Sequence, residues 1–164
     1  MLLKLQGGRT LPMSGKKSKL AEQHLRVMSG YSGTTLLQKL GIRPNEQIIA
    51  LNAPERYPAL LGKLPAGAVI TDRLTSSASF VHLFATDRAE LEKRLSVLRT
   101  TLDDAGVLWV SWPKKAAKVP TDITEDVIRA VALPLGFVDV KVCAVDETWS
   151  GLKLMIRREN RRGG

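Results

Sequence analysis

At 164 residues and 44% hydrophobic content, the chain has the length and apolar share of one domain able to close its own core. The single cysteine, Cys143, rules out an intramolecular disulfide and offers no zinc-ligand spacing, and no run approaches the roughly 18 apolar residues of a membrane span, so a soluble cytoplasmic protein is expected. The net charge of +9 sits at the ends: residues 1–26 hold six Lys/Arg against Glu22, and residues 157–162 hold four Arg against Glu159, which leaves the middle near neutral. That split argues against a cationic face built into the fold and confines any nucleic-acid contact to salt-sensitive basic tails.

Residues 1–27 are rich in Lys, Gly and Ser without a sustained apolar period, and are expected to form a basic, disordered extension, loosely helical at most over 18–27. Met28 then opens an abrupt change of pattern and is an alternative start. One domain is expected over 28–157, followed by a basic tail at 158–164. Leu36, Leu37 and Leu40 make a short helical stripe that Gly41 stops. Gln47-Ile48-Ile49-Ala50-Leu51 reads as a strand buried on both faces. A brief helix at 56–61 leads to two further strands, at 68–71 and 80–85. The clearest helix spans 88–103, capped by Asp87, with Leu91, Leu95, Leu98 and Leu102 on one side. Gly106 precedes a strand at 107–112 that Pro113 ends. Another helix starts near 121–124 and ends near Leu133-Pro134. Finally Val138, Val140 and Val142 alternate with Asp139 and Lys141, and after a turn Leu152, Leu154 and Ile156 alternate with Lys153 and Met155, which predicts an antiparallel hairpin.

Strands alternating with helices imply right-handed crossovers and a mostly parallel sheet, so the expected α/β fold is a three-layer Rossmann-like sandwich with a C-terminal antiparallel hairpin. Ligands collect at the carboxyl ends of such strands, which selects Asn52, Asp72, Thr86, Asp87, Lys114, Lys115, Asp146 and Trp149, with Glu55 and Arg56 nearby. Lys114 and Lys115 suit an anion clamp for a phosphate or carboxylate, with Asn52 and Thr86 donating beside them, although a solvated turn uses the same letters. Asp146, Glu147, Thr148 and Trp149 could supply acid/base chemistry or a stacking surface, but a hairpin turn also favours this composition. Asp122, Glu125 and Asp126 read as a helix start rather than a metal site, and no metal is expected. His82, inside a strand, and His24 read as structural. With no Gly-x-Ser-x-Gly elbow and only these histidines, a hydrolase triad has little material.

The glycine-led strand, the Pro-ended strand and the terminal hairpin together resemble the later half of class I methyltransferases. That resemblance implies S-adenosylmethionine as cofactor, with Asp72 in the place of the acid that holds ribose hydroxyls. The family's glycine-rich turn is matched here by Asn52-Ala53-Pro54-Glu55-Arg56, and without glycine a positive-φ turn is not expected. More of the wording is similar to the bacterial domain of unknown function 3052 family, through Ser29-Gly30-Tyr31-Ser32-Gly33-Thr34, Leu40-Gly41-Ile42, Asn52-Ala53-Pro54, Trp112-Pro113-Lys114-Lys115 and Asp146-Glu147-Thr148-Trp149-Ser150-Gly151. This resemblance implies a bacterial origin and assigns no catalytic residue. The leading expectation is a non-catalytic binding or regulatory domain for a small anionic ligand or a protein partner. The alternatives are an S-adenosylmethionine-dependent methyltransferase with an atypical cofactor loop, and a nucleic-acid-associated protein using its basic tails.

Overall fold

The computed structural model describes residues 34–162, together with the strand pieces Leu3–Lys4 and Arg9–Thr10. Apart from those pieces, the expected N-terminal extension, the Met28 start, His24 and the Ser29-Gly30-Tyr31-Ser32-Gly33 loop lie outside the described residues. Two compact units divide the chain, residues 40–143 with 148–164 and residues 1–39 with 144–147.

In chain order the elements are α1 (Leu36–Leu40), β1 (Gln47–Leu51), α2 (Tyr57–Leu61), β2 (Val69–Thr71), β3 (Ala78–Phe84), α3 (Arg88–Thr101), β4 (Leu102–Pro113), α4 (Glu125–Leu135), β5 (Phe137–Ala144) and β6 (Trp149–Ile156). The six strands form one sheet in the order β2-β1-β3-β4-β6-β5. β1 pairs in parallel with both β2 and β3, β3 pairs in parallel with β4, and β4 turns the sheet antiparallel by pairing with β6. The mostly parallel sheet with its terminal hairpin is the architecture that the alternating patterns predict.

Register assigns each face its layer. Ile49, Val81, Leu108 and Leu154 stand in line across four strands, and with Leu51, Leu83, Val110 and Leu152 they pack on Leu91, Leu95 and Leu98 of α3 and Ile128, Val131 and Ala132 of α4. Because side chains alternate along a strand, Ile48, Ala50, Phe80, His82, Phe84, Trp109 and Ser111 face the other way, all of them buried. Trp109 Nε1 donates to the Leu40 carbonyl at 3.0 Å on that side, and Tyr57 and Leu61 of α2 are buried too. A helix of the length and spacing of α3 forms because its leucines recur every three or four residues and the Asp87 carboxylate accepts from the Glu90 N–H at 3.0 Å.

Several boundaries differ from the sequence reading, most clearly at the two long helices and at the start of β4. Helix α3 stops at Thr101 rather than near 103, because Leu102 is drawn into the sheet opposite Ala78, with extended backbone angles. The next pair is Phe80 with Val107, so an irregularity takes up residues 103–106, and Gly106 lies where a Cβ would come within 3.0 Å of the Ala78 and Asp103 carbonyl oxygens. Helix α4 runs on through Pro134 to Leu135, where Gly136 at φ 102° closes it with a left-handed turn whose N–H serves the Ala132 and Leu133 carbonyls. After β6 the chain folds back: Arg158–Asn160 form a 3-10 turn, Arg161 Nε donates to the Ile156 carbonyl at 3.0 Å, and Arg162 lies 3.4 Å from Asp104. Among the described residues no helix is long and apolar enough to cross a membrane.

Candidate ligand-binding site

The carboxyl ends of β1 and β2 lie side by side, since Ile49 pairs with Thr71, and the chain leaves both strands there into loops. Between them opens a cavity of about 640 Å³, lined in part by Asn52, Tyr57, Pro58, Thr71 and Asp72. Asn52 is what makes room. It takes a left-handed conformation, φ 58°, at the first position after β1, and the chain turns sharply away from the sheet. The turn expected to need glycine is therefore made by asparagine, whose short polar side chain tolerates that region better than other non-glycine residues. Ala53 and Pro54 follow in the lining, as does Pro58 in the first turn of α2.

Beneath the cavity lies a buried polar chain. Tyr57 Oη is 2.9 Å from His82 Nδ1, and His82 Nε2 is 2.8 Å from Ser111 Oγ, so α2, β3 and β4 are tied through one imidazole. The His82 ring is wholly buried, and desolvation brings its pKa down to about 3, so it is neutral at ordinary pH. Burial also raises the Tyr57 pKa, which keeps the phenol protonated. A neutral imidazole has one donor and one acceptor, so one hydroxyl gives a proton to the ring and the other receives one from it. The ring further stacks on Phe84 at 4.3 Å, and Tyr57 meets both rings edge-on. The structural reading of His82 is therefore its role here, and the sequence signal for its partners was two polar letters inside apolar strands, His82 and Ser111.

The other predicted residues fall into separate places. Lys114 and Lys115 come together at the carboxyl end of β4, in a groove of about 410 Å³ that also touches Trp112, Thr121, Thr124 and Glu125. Thr86 and Asp87 serve the loop beside α3. The Thr86 carbonyl accepts from Thr121 Oγ1 at 2.7 Å, Asp87 caps the helix, and Asp122 accepts from the Arg88 N–H at 2.8 Å. Trp149 opens β6 and packs edge-on against Phe84 at 5.0 Å, while Asp146 sits in the 145–148 loop between β5 and β6. Asn52 shares a cavity with Asp72, and Lys114 shares another with Lys115. Asp122, Glu125 and Asp126 lie at the start of α4, where the Thr124 hydroxyl caps the Val127 N–H at 3.2 Å. Among the described residues no group of three or more His, Cys, Asp or Glu is placed to hold a metal ion.

No protein-family model matches the chain, and no curated protein matches it in sequence, so the resemblance to the domain of unknown function 3052 family is not confirmed. Similarity appears in the fold. A candidate type 11 methyltransferase from Sulfolobus solfataricus superposes with a TM-score of 0.51 at 12% identity, over 74% of this chain and 89% of the other. A candidate exported protein from Bordetella parapertussis superposes with a TM-score of 0.50 at 10% identity, over 85% and 68%. A TehB-like S-adenosylmethionine-dependent methyltransferase from Corynebacterium glutamicum reaches a TM-score of 0.46 at 10% identity, over 87% and 100%. The chain has a Rossmann-like, methyltransferase-like fold.

Proposed function

We propose that this protein is a binding or regulatory domain whose cavity between Asn52 and Asp72 takes a ribonucleoside ligand, S-adenosylmethionine or its demethylated product. The observation that carries the reading is the joint placement of a left-handed Asn52 turn and the Asp72 carboxylate at the mouth of one cavity. A volume of about 640 Å³ suits a ligand of that size. Asp72 is the charged side chain among the described lining residues, and a carboxylate accepts from vicinal hydroxyls and attracts a sulfonium, whereas it repels a bare phosphate. The residues fit the nucleoside end of such a ligand: Asp72 for the ribose, Asn52 as a polar neighbour, and Ile70 with Pro54 as apolar walls for a ring. The Tyr57 hydroxyl is engaged by His82 rather than turned to the opening, which favours binding over proton transfer at this wall.

Methyl transfer is the second reading. It is favoured by the groove at Lys114 and Lys115, which opens at the same end of the parallel strands and offers an anionic acceptor two ammonium groups. Calorimetry and thermal shift with S-adenosylmethionine, its demethylated product and adenosine test both. Saturation at about 100 times Kd should stabilise the fold by about 2.7 kcal/mol, and Asp72→Ala should weaken binding at least about tenfold. Absence of any shift at millimolar ligand, or equal binding by Asp72→Ala, rejects the site. Label transferred from the methyl group to an acceptor would make the second reading the right one.

A further inference from the structure

We infer that β5 is a self-association edge, through which two copies of this chain join their sheets antiparallel about a two-fold axis at Val140. Among the described residues β5 is the last strand of the sheet and has β6 as its one neighbour, so its outer backbone edge is open to another strand. Phe137 reaches the core and Asp139 meets Arg129 of α4, which puts the odd-numbered side chains on the α4 side. Val138, Val140 and Val142 therefore stand on the other side, and they are 36%, 49% and 47% exposed. Three β-branched residues in a row on an open edge is a surface that single domains ordinarily blunt with charge or proline.

The charges on this strand select the occupant. Val138-Asp139-Val140-Lys141-Val142 is self-complementary when read against itself in reverse. With Val140 opposite Val140 of the second copy, Val138 faces Val142, and Asp139 faces Lys141 twice over. Sliding the pairing by one position sets each charge opposite a valine, sliding it by two either way brings Asp139 onto Asp139 or Lys141 onto Lys141, and a parallel in-register pairing sets both like pairs together. One register alone matches charge with charge. The α4 side adds to it: Arg129 meets three carboxylates, Glu125, Asp126 and Asp139, so a lysine arriving beside Asp139 enters a locally acidic place. The symmetric contact uses the β5 edge of both copies at once and so closes at two copies.

Sedimentation velocity of the full chain over a concentration series tests the inference. The expected result is a monomer–dimer equilibrium, with Lys141→Glu raising the dissociation constant by roughly tenfold or more because two opposite-charge pairs become like-charge pairs. Lys141 is exposed, so that variant is expected to keep its fold, which circular dichroism checks. Asp139→Lys should also dissociate, and mixing it with Lys141→Glu should restore a dimer, since the mixture again sets opposite charges face to face. A wild type that stays monomeric across the series, or a Lys141→Glu chain that dimerises as the wild type does, overturns the inference. A mixture of two folded variants that remains monomeric overturns the register.

Discussion

The Tyr57 hydroxyl lies 2.9 Å from Nδ1 of His82, and this contact anchors α2, the helix that walls the candidate cavity, to the middle of the sheet. Removing the oxygen with Tyr57→Phe leaves the ring shape and strands one buried imidazole nitrogen without a partner. The expected loss is about 1–3 kcal/mol of unfolding free energy, measured by urea titration. A variant as stable as the wild type would mean that the hydrogen bond adds nothing net.

His82 also sets a pH dependence. Its pKa is depressed to about 3 in the fold against an ordinary value of 6.5, so the unfolded chain binds a proton that the folded chain refuses. Its contribution to stability is full above pH 6.5 and is lost as the pH falls from there towards 3, by at most about 1.4 kcal/mol per pH unit. Melting temperatures between pH 7 and 5, above most carboxylate titration, should fall for the wild type and fall less for His82→Asn. Parallel slopes for the two proteins would show that the ring is not the titrating group.

At Asn52 the backbone itself is the variable. With φ at 58°, Asn52→Gly should be as stable as the wild type or slightly better, whereas Asn52→Val should lose about 1–2 kcal/mol to left-handed strain. Denaturation measures the strain, and ligand affinity separates it from side-chain contact: Gly keeps the turn and loses only the amide. Equal stability of the Val and Gly variants would show that the turn relaxes to another conformation.

What was legible in the sequence was local. The leucines at 91, 95 and 98 with Asp87 before them specify α3 within a few turns of chain, and strict alternation at 138–142 and 152–156 specifies the two hairpin strands. The Tyr57–His82 and His82–Ser111 contacts span 25 and 29 residues, so no local pattern encodes them, and His82 could be read only as a polar residue awaiting partners. The letter Asn52 does not announce its turn: a positive-φ turn points to glycine, and asparagine reaches the same region of φ. The start of β4 was hidden because Leu102 continues the helical leucine stripe while its backbone already answers to Ala78 in the sheet. Topology alone places the candidate residues at strand ends without saying which ends meet, and in the fold Asn52 and Asp72 share one cavity while Lys114 and Lys115 line another.

The pairing of β4 on both sides has a consequence for synthesis. Its one flank meets β3, made earlier, but the other meets β6, made last of all the strands. A nascent chain that has emerged through Pro113 can close its parallel half and still show the Leu108, Trp109 and Val110 backbone as an uncovered edge until Leu152 and Leu154 leave the ribosome. The interval between those events is when the growing protein is open to strand exchange with its neighbours on the same message, so a ribosomal pause that holds β6 back would prolong the danger and one that comes before Pro113 has emerged would not.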